Sequence, residues 1–284
     1  MRKILVAGAS GMLGRLVVAE LKRRGYWVRA LTRTGAPPHV AETHVDEIVI
    51  GDLRSAESLH SACTDIDLVI SCAGASMNMR NISDRSTFLD VDYHGNIRLL
   101  HAAQKAGVKK FIYVSTADGE KLQRYEYFRA HYLFETDLAA SGLEYAVIQP
   151  TGFFYIMGEF LTMAKNGKGF LIGDGTSRTN PVHEQDVAEA CVDAIDGSEH
   201  RVIVGGPEVF TRREIVELAF SVAGRTPSII TVPRGLFLSL VWPMKFINPR
   251  IHALLELGAV VSTTDAVVNA HGKRRLREYF QSLL

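Results

Sequence analysis

The chain is short of cysteine: Cys63, Cys72 and Cys191 are odd in number, far apart, and form no CxxC pair. This supports neither a disulfide framework nor a zinc site, and it suits reduced thiols in a cytoplasmic protein. An excess of one charge is missing too. The 32 Lys and Arg residues balance 31 Asp and Glu, a formal net charge of +1, and no run of like charges stands out. Taken whole, such a chain has no electrostatic pull toward nucleic acid or an anionic membrane. Long apolar runs are also absent. The longest late cluster, 235-GLFLSLVWPM-244, is half of the roughly 20 residues a membrane helix needs, and a proline interrupts it. The opening MRKILVAGAS is basic then apolar, as a signal peptide would be. Its apolar stretch is too short and runs into a glycine-rich turn, so it reads as a first strand.

What is present is an alternation. Apolar, β-branched runs at 3-KILVAG-8, 27-WVRALTR-33, 46-DEIVIGD-52, 67-DLVISCAG-74, 111-FIYVS-115 and 144-EYAVIQP-150 read as strands. Between them, helical spacing covers 12–25, where Leu13, Val17 and Leu21 share a face, and then 55–63, 86–106 and 126–141. Strands alternating with helices predict parallel βαβ units and an α/β fold, a doubly wound parallel sheet with its ligands outside the carboxyl ends of the strands. After Pro150 the rhythm loosens through the glycine-rich stretch GKGFLIGDGTSRTN; a helix is expected at 183–196 and a strand at 201–206. Thr211 and Glu214 have capping-box spacing ahead of a helix over 211–224. From about 230 the tail is apolar and helical, broken at Pro233, Pro243 and Pro249. The expected organisation is a main domain over 1–155 and a smaller C-terminal substrate lobe over 156–284, with 180–206 returning to the main sheet.

The turn 8-GASGMLG-14 joins the first strand to the first helix. Gly8, Gly11 and Gly14 allow a tight turn, close approach of backbone to a pyrophosphate, and close packing of helix on strand. The helix amino terminus then offers its free N–H groups to phosphate. Gly8, Ser10, Gly11, Met12, Leu13 and Gly14 are therefore assigned to a dinucleotide. The second strand ends in 31-LTRTG-35, with Arg33 where an NAD site would carry an acid, and no carboxylate before Glu42. An arginine there accommodates the 2′-phosphate of NADP, with NAD the second choice. Arg15 could add a second cation.

These residues resemble the atypical short-chain dehydrogenase/reductase superfamily. The nearest likeness is to the branch holding nitrogen-metabolite-regulator-like proteins, isoflavone-reductase-like enzymes and divinyl chlorophyllide reductases. The matching pieces run along most of the chain: 7-AGASGMLGR-15, 51-GDLR-54, 71-SCAG-74, 110-KFIYVSTADG-119, 135-ETDLAASGLEYAVIQPTGFF-154, 180-NPVHEQDVAEA-190 and 205-GGPEVFTRREI-215. The resemblance implies a Rossmann-type sheet. It implies that Asp52 and Leu53 border the adenine, that Cys72, Ala73 and Gly74 line the cofactor, and that Pro150, Thr151, Gly152 and Phe153 pass beside the nicotinamide. It also implies a structural role for 180–186, His183 included.

The superfamily's catalytic set is a serine or threonine after the fifth strand and Tyr-x-x-x-Lys on the next helix. Two frames fit 125-YEYFRAH-131: Tyr125 with Arg129, or Tyr127 with His131. A shift of two residues turns a helix by about 200°, so both cannot face one ligand. The landmark Glu135, Leu138, Ser141, Gly142, Leu143 resembles the family's, with the lysine position four before the glutamate. That selects Tyr127 and puts His131 in place of the lysine, as the ribose contact. Thr116 is the first choice for the hydroxyl partner and Ser115 the second. An imidazole supplies no permanent charge to acidify the tyrosine, which harms oxidation more than reduction.

The resemblance thus implies an NADP-dependent reductase passing hydride to a small, apolar carbonyl or enone. The alternatives are a non-catalytic sensor of NADP(H) and a sugar-nucleotide-type epimerase, which would want an efficient tyrosinate. The partner expected is a small molecule. The apolar tail (Leu236, Phe237, Leu240, Val241, Trp242) roofs a pocket, packs the lobe, or meets another copy in a homo-oligomer.

Overall fold

The computed structural model describes residues 2–33, 45–75, 77 and 84–284. It divides into two compact units, the first drawn from Met1–Ser76, Ser86–Gln149 and Val187–Val202, the second from Met77–Arg85, Pro150–Asp186 and Ile203–Leu284.

The first unit is built on a parallel sheet. Strand β1 (Lys3–Ala7) leads through a turn to helix α1 (Met12–Arg23) and β2 (Trp27–Thr32). Strands β3 (Glu47–Ile50), β4 (Leu68–Ser71), β5 (Lys110–Val114), β6 (Glu144–Pro150) and β9 (Arg201–Val204) complete seven, in the order β3-β2-β1-β4-β5-β6-β9. The registered pairs are all parallel, for example Leu5 with Arg29 and with Val69. The order reverses direction between β1 and β4, the switch point where open α/β sheets bind ligands. Ile4, Leu5, Val6 and Ala7 are fully buried, as expected of a strand covered on both faces. Leu5, Val69, Leu99, Phe111, Tyr113, Phe134 and Leu138 belong to one packed core.

Helices flank the sheet. Helix α1 ends at Gly25, whose φ of +80° suits only glycine well. The expected helix over 55–63 is shorter, with only Ala56–Leu59 helical (α2). That expected over 86–106 starts with a π-helical turn, Leu89–Tyr93, and continues as α3 (His94–Lys105). Helix α4 (Glu126–Ala140) faces the core with Phe134 and Leu138.

In the second unit, helix α5 (Phe154–Lys165) precedes strands β7 (Gly169–Ile172) and β8 (Arg178–Thr179), which the glycine-rich composition had hidden. Helix α6 (Glu184–Asp193) begins in this unit and ends in the first. Strand β10 (Phe210–Thr211) feeds α7 (Arg212–Val222), with the full Thr211/Glu214 capping box. The tail, expected to be helical, opens with a strand. Strand β11 (Ile229–Val232) lies parallel to β7, and α8 (Arg234–Val241), α9 (Met244–Ile247), α10 (Pro249–Ser262) and α11 (Leu276–Ser282) follow. Pro233 and Asn248 are N-caps, and Pro249 opens α10, where a missing N–H costs nothing. Phe154, Leu161, Phe220, Leu276 and Phe280 anchor this unit's own core.

Candidate functional site

The turn after β1 is shaped by its glycines. Gly8 has φ +76°, and a Cβ there would meet the Cys72 carbonyl group at 2.8 Å. The Gly11 N–H donates to the Gly8 carbonyl at 2.9 Å and closes the turn. A Cβ on Gly14 would lie 2.0 Å from that same oxygen, so only glycine lets α1 start this close to the strand. Gly11 is the N-cap of α1, with no side-chain cap and no acid in the first turn. The first N–H groups of a helix have no partner within it, and Ser10, Gly11 and Met12 are exposed there, with Leu13 half-buried. The donor set and the space left by the missing Cβ atoms fit a pyrophosphate.

At the end of β2, Arg33 is exposed, and Glu42 lies outside the described residues. The Arg54 guanidinium grips Asp52 at 2.6 Å and holds its carboxyl below the usual carboxylate range, with Arg33 adding a smaller push. Leu53 is buried. Arg15 points a guanidinium nitrogen at the Met12 sulfur.

The loop after β4 is held from α3 and the π-helical turn, by residues that sequence reasoning missed. The Cys72 N–H donates to Ala7. The Asn96 amide donates to the Ala73 carbonyl at 3.2 Å, and its oxygen accepts from the Ser71 hydroxyl at 2.6 Å. Asp92 accepts the Ala75 N–H at 2.9 Å, and a Cβ on Gly74 would lie 2.7 Å from Asp92 Oδ1. Asp92 and Asn96 are four apart in a buried stretch, and that spacing of two polar residues was the available signal.

Tyr127 is half-buried on α4, its ring edge-on to His131 at 4.6 Å and to Phe88 at 5.2 Å. Tyr125 is the N-cap of the same helix, and Arg129 is exposed. His131 is buried. Its Nδ1 lies 2.6 Å from the Tyr113 hydroxyl and its Nε2 3.4 Å from Asp92 Oδ1. Both nitrogens face protein groups, which leaves none for the ribose contact expected of this residue. Burial pushes the imidazole down to about 3 and the Asp92 carboxyl up to about 7.

The Ser115 hydroxyl donates to Glu135, whose carboxylate also takes the Gln149 amide at 2.9 Å. Ser115 is buried in that cluster, while Thr116 is half-buried with only a long 3.3 Å bond to the Ala117 carbonyl. Pro150 ends β6, the Thr151 hydroxyl donates to the Asn180 carbonyl at 2.6 Å, Gly152 follows, and Phe153 caps α5. Asn180 ties Gly206 to Val268, and Asp186 takes the N–H groups of Lys273 and Arg274. His183 accepts the Gln185 N–H at 3.0 Å between the rings of Phe154 and Tyr279. Among the described residues, no group of three or more His, Cys, Asp or Glu side chains is placed to hold a metal ion.

The family model described as NAD(P)H-binding matches residues 8–198. The chloroplastic divinyl chlorophyllide a 8-vinyl-reductase of Zea mays is 28% identical, over 99% of this chain and 79% of that protein. Photosystem II assembly factor Ycf39 of Trieres chinensis is 26% identical, over 91% and 78%. Among solved structures, the NADPH-dependent quinone oxidoreductase QOR2 of Escherichia coli, complexed with NADPH, superposes with a TM-score of 0.78 over 99% of each chain at 17% identity, a likeness of fold. The glycine turn, the parallel sheet and this match agree, and the chain belongs to the NAD(P)H-binding family, in the atypical short-chain dehydrogenase/reductase superfamily.

Proposed function

We propose that the protein is an NADPH-dependent reductase of a small, apolar carbonyl or enone. The observation that carries this reading is Tyr127 packed edge-on against an imidazole that burial keeps neutral. A neutral neighbour brings no positive charge to draw the proton off the phenol. Reduction needs that proton, and oxidation or epimerisation would need it gone. Bound NADPH would supply the hydride. Tyr127 would donate its proton to the substrate oxygen, and Thr116 would hydrogen-bond the same oxygen. His131, with both nitrogens engaged, would position the Tyr127 ring. The uncapped start of α1 would hold the pyrophosphate and Arg33 the 2′-phosphate. Three free cysteines suit the reducing cytoplasm.

The test follows NADPH consumption across a panel of enones, quinones and aldehydes. Tyr127→Phe should lower turnover by about 10²- to 10⁴-fold and leave cofactor affinity unchanged. Arg33→Asp should cost roughly ten- to a hundredfold in NADPH affinity, the value of one charge-assisted bond, and spare NADH. Full activity in Tyr127→Phe would remove the tyrosine from the mechanism. A second reading, a cofactor sensor without turnover, is favoured by the buried, fully engaged His131 where the superfamily has a lysine. Tight NADPH binding with no consumption by any acceptor would select it.

A further inference from the structure

Helix α8 and the turn after it are apolar on both sides. Val241 is buried and Phe237 and Leu238 are half-buried, so one face is already used. Yet Leu236, Leu240, Trp242, Phe246 and Ile247 are each 54–72% exposed. Leu236 and Leu240 are four apart and share the outer face of α8, and the Trp242 and Phe246 rings meet edge-on at 5.1 Å. Scattered exposed apolar residues are ordinary, but a contiguous group of large ones marks an interaction surface.

The charge around this group selects its partner. From Leu218 to Leu255 there is no Asp or Glu, whereas Arg225, Arg234, Lys245 and Arg250 all fall in that stretch. Arg250 is engaged by Asp84 at 3.8 Å, while Arg225 and Lys245 are exposed. The balanced charge of the whole chain hides this local asymmetry. Exposed Trp, Phe and Leu in a stretch that carries cations and no carboxylate of its own are the composition of segments that lie in the headgroup region of an anionic bilayer. A second copy suits the patch poorly: a two-fold contact centred on it would press Lys245 toward its own image, like charge against like.

We propose that the segment Arg234–Ile247 docks the protein on an anionic membrane surface. Leu236, Leu240, Trp242, Phe246 and Ile247 enter the acyl boundary, and Lys245 meets lipid phosphates. The helix is too short to cross a bilayer, so the attachment is peripheral and reversible. It stands independently of the reductase reading.

The experiment is co-sedimentation of the full chain with phosphatidylcholine vesicles with and without 30% (roughly) phosphatidylglycerol, run beside light scattering of the protein alone. Binding should be at least about tenfold stronger to the anionic vesicles and weaken with salt, as surface charge attraction is screened. Trp242 emission should shift to the blue on binding. Phe246→Ser and Leu240→Ser remove exposed side chains, so both should keep the fold and NADPH affinity while abolishing sedimentation; Lys245→Glu should weaken it. No difference between the two vesicle types, or binding unchanged in Phe246→Ser, overturns the proposal. So does a stable dimer that Phe246→Ser dissociates without any vesicle binding.

Discussion

Inside the fold Asp92 favours its neutral acid, held up to about 7 by burial, whereas in the unfolded chain it ionises from 3.8. Its contribution to stability is full below about pH 4 and is lost as pH rises toward 7. His131 runs the other way. Burial lowers it from 6.5 to about 3, so its contribution is full above 6.5 and is lost as pH falls toward 3. Between about pH 4 and 6.5 the two slopes oppose each other. Asp92→Asn removes one of them, and the variant should gain on the wild type by up to about 1.4 kcal/mol per pH unit across that window. Urea midpoints at pH 4.5, 5.5 and 6.5 read this directly. Parallel curves would mean that Asp92 ionises alike in both states.

At the scale of elements, the turn between β1 and α1 predicts a graded pair of variants. At Gly14 a Cβ would lie 2.0 Å from the Gly8 oxygen, against 3.2 Å at Gly11. Gly14→Ala must displace α1 from the strand, so it should lower stability by several kcal/mol, in the range of overpacking (~1–3 kcal/mol, occasionally more), and lose the cofactor. Gly11→Ala needs only a few tenths of an ångström of adjustment. It should keep its melting temperature while NADPH titration weakens. Equal losses in both would remove the distinction between packing and phosphate approach.

The strands of the first unit were legible because a strand covered on both faces is apolar at every position, as 3-KILVA-7 is. The pairing of β11 with β7 was not, since partners some sixty residues apart leave no local periodicity, and Pro227 and Pro233 frame IITV as a loop would. The glycine turn could be read from spacing alone. Asp92 and Asn96 left only their four-residue spacing as a signal, and Tyr113 on β5 left none, because its partner His131 lies eighteen residues on.

For the molecule as a whole, two units allow two unfolding transitions. The glycine turn belongs to the first unit, so NADPH at a hundredfold excess over its Kd should stabilise that unit by about 2.7 kcal/mol and raise its melting temperature by roughly 5–10 °C. Calorimetry with and without cofactor should show one transition move more than the other. A uniform shift of a single transition would mean that the units unfold together.

The division has a consequence for the order in which the protein is made. The Val147 N–H on β6 donates to the His200 carbonyl at 2.9 Å, and Val187–Val202 is the last segment of the first unit to be synthesised. At ribosomal speeds of about 5–20 residues per second, the intervening fifty or so residues take roughly 3–10 s. Through that interval the outer side of β6 is an unpaired rim of N–H and C=O groups on the nascent chain, a template for a neighbouring nascent chain on the same message. The segment that closes the sheet is therefore also the one that ends its exposure to misassembly.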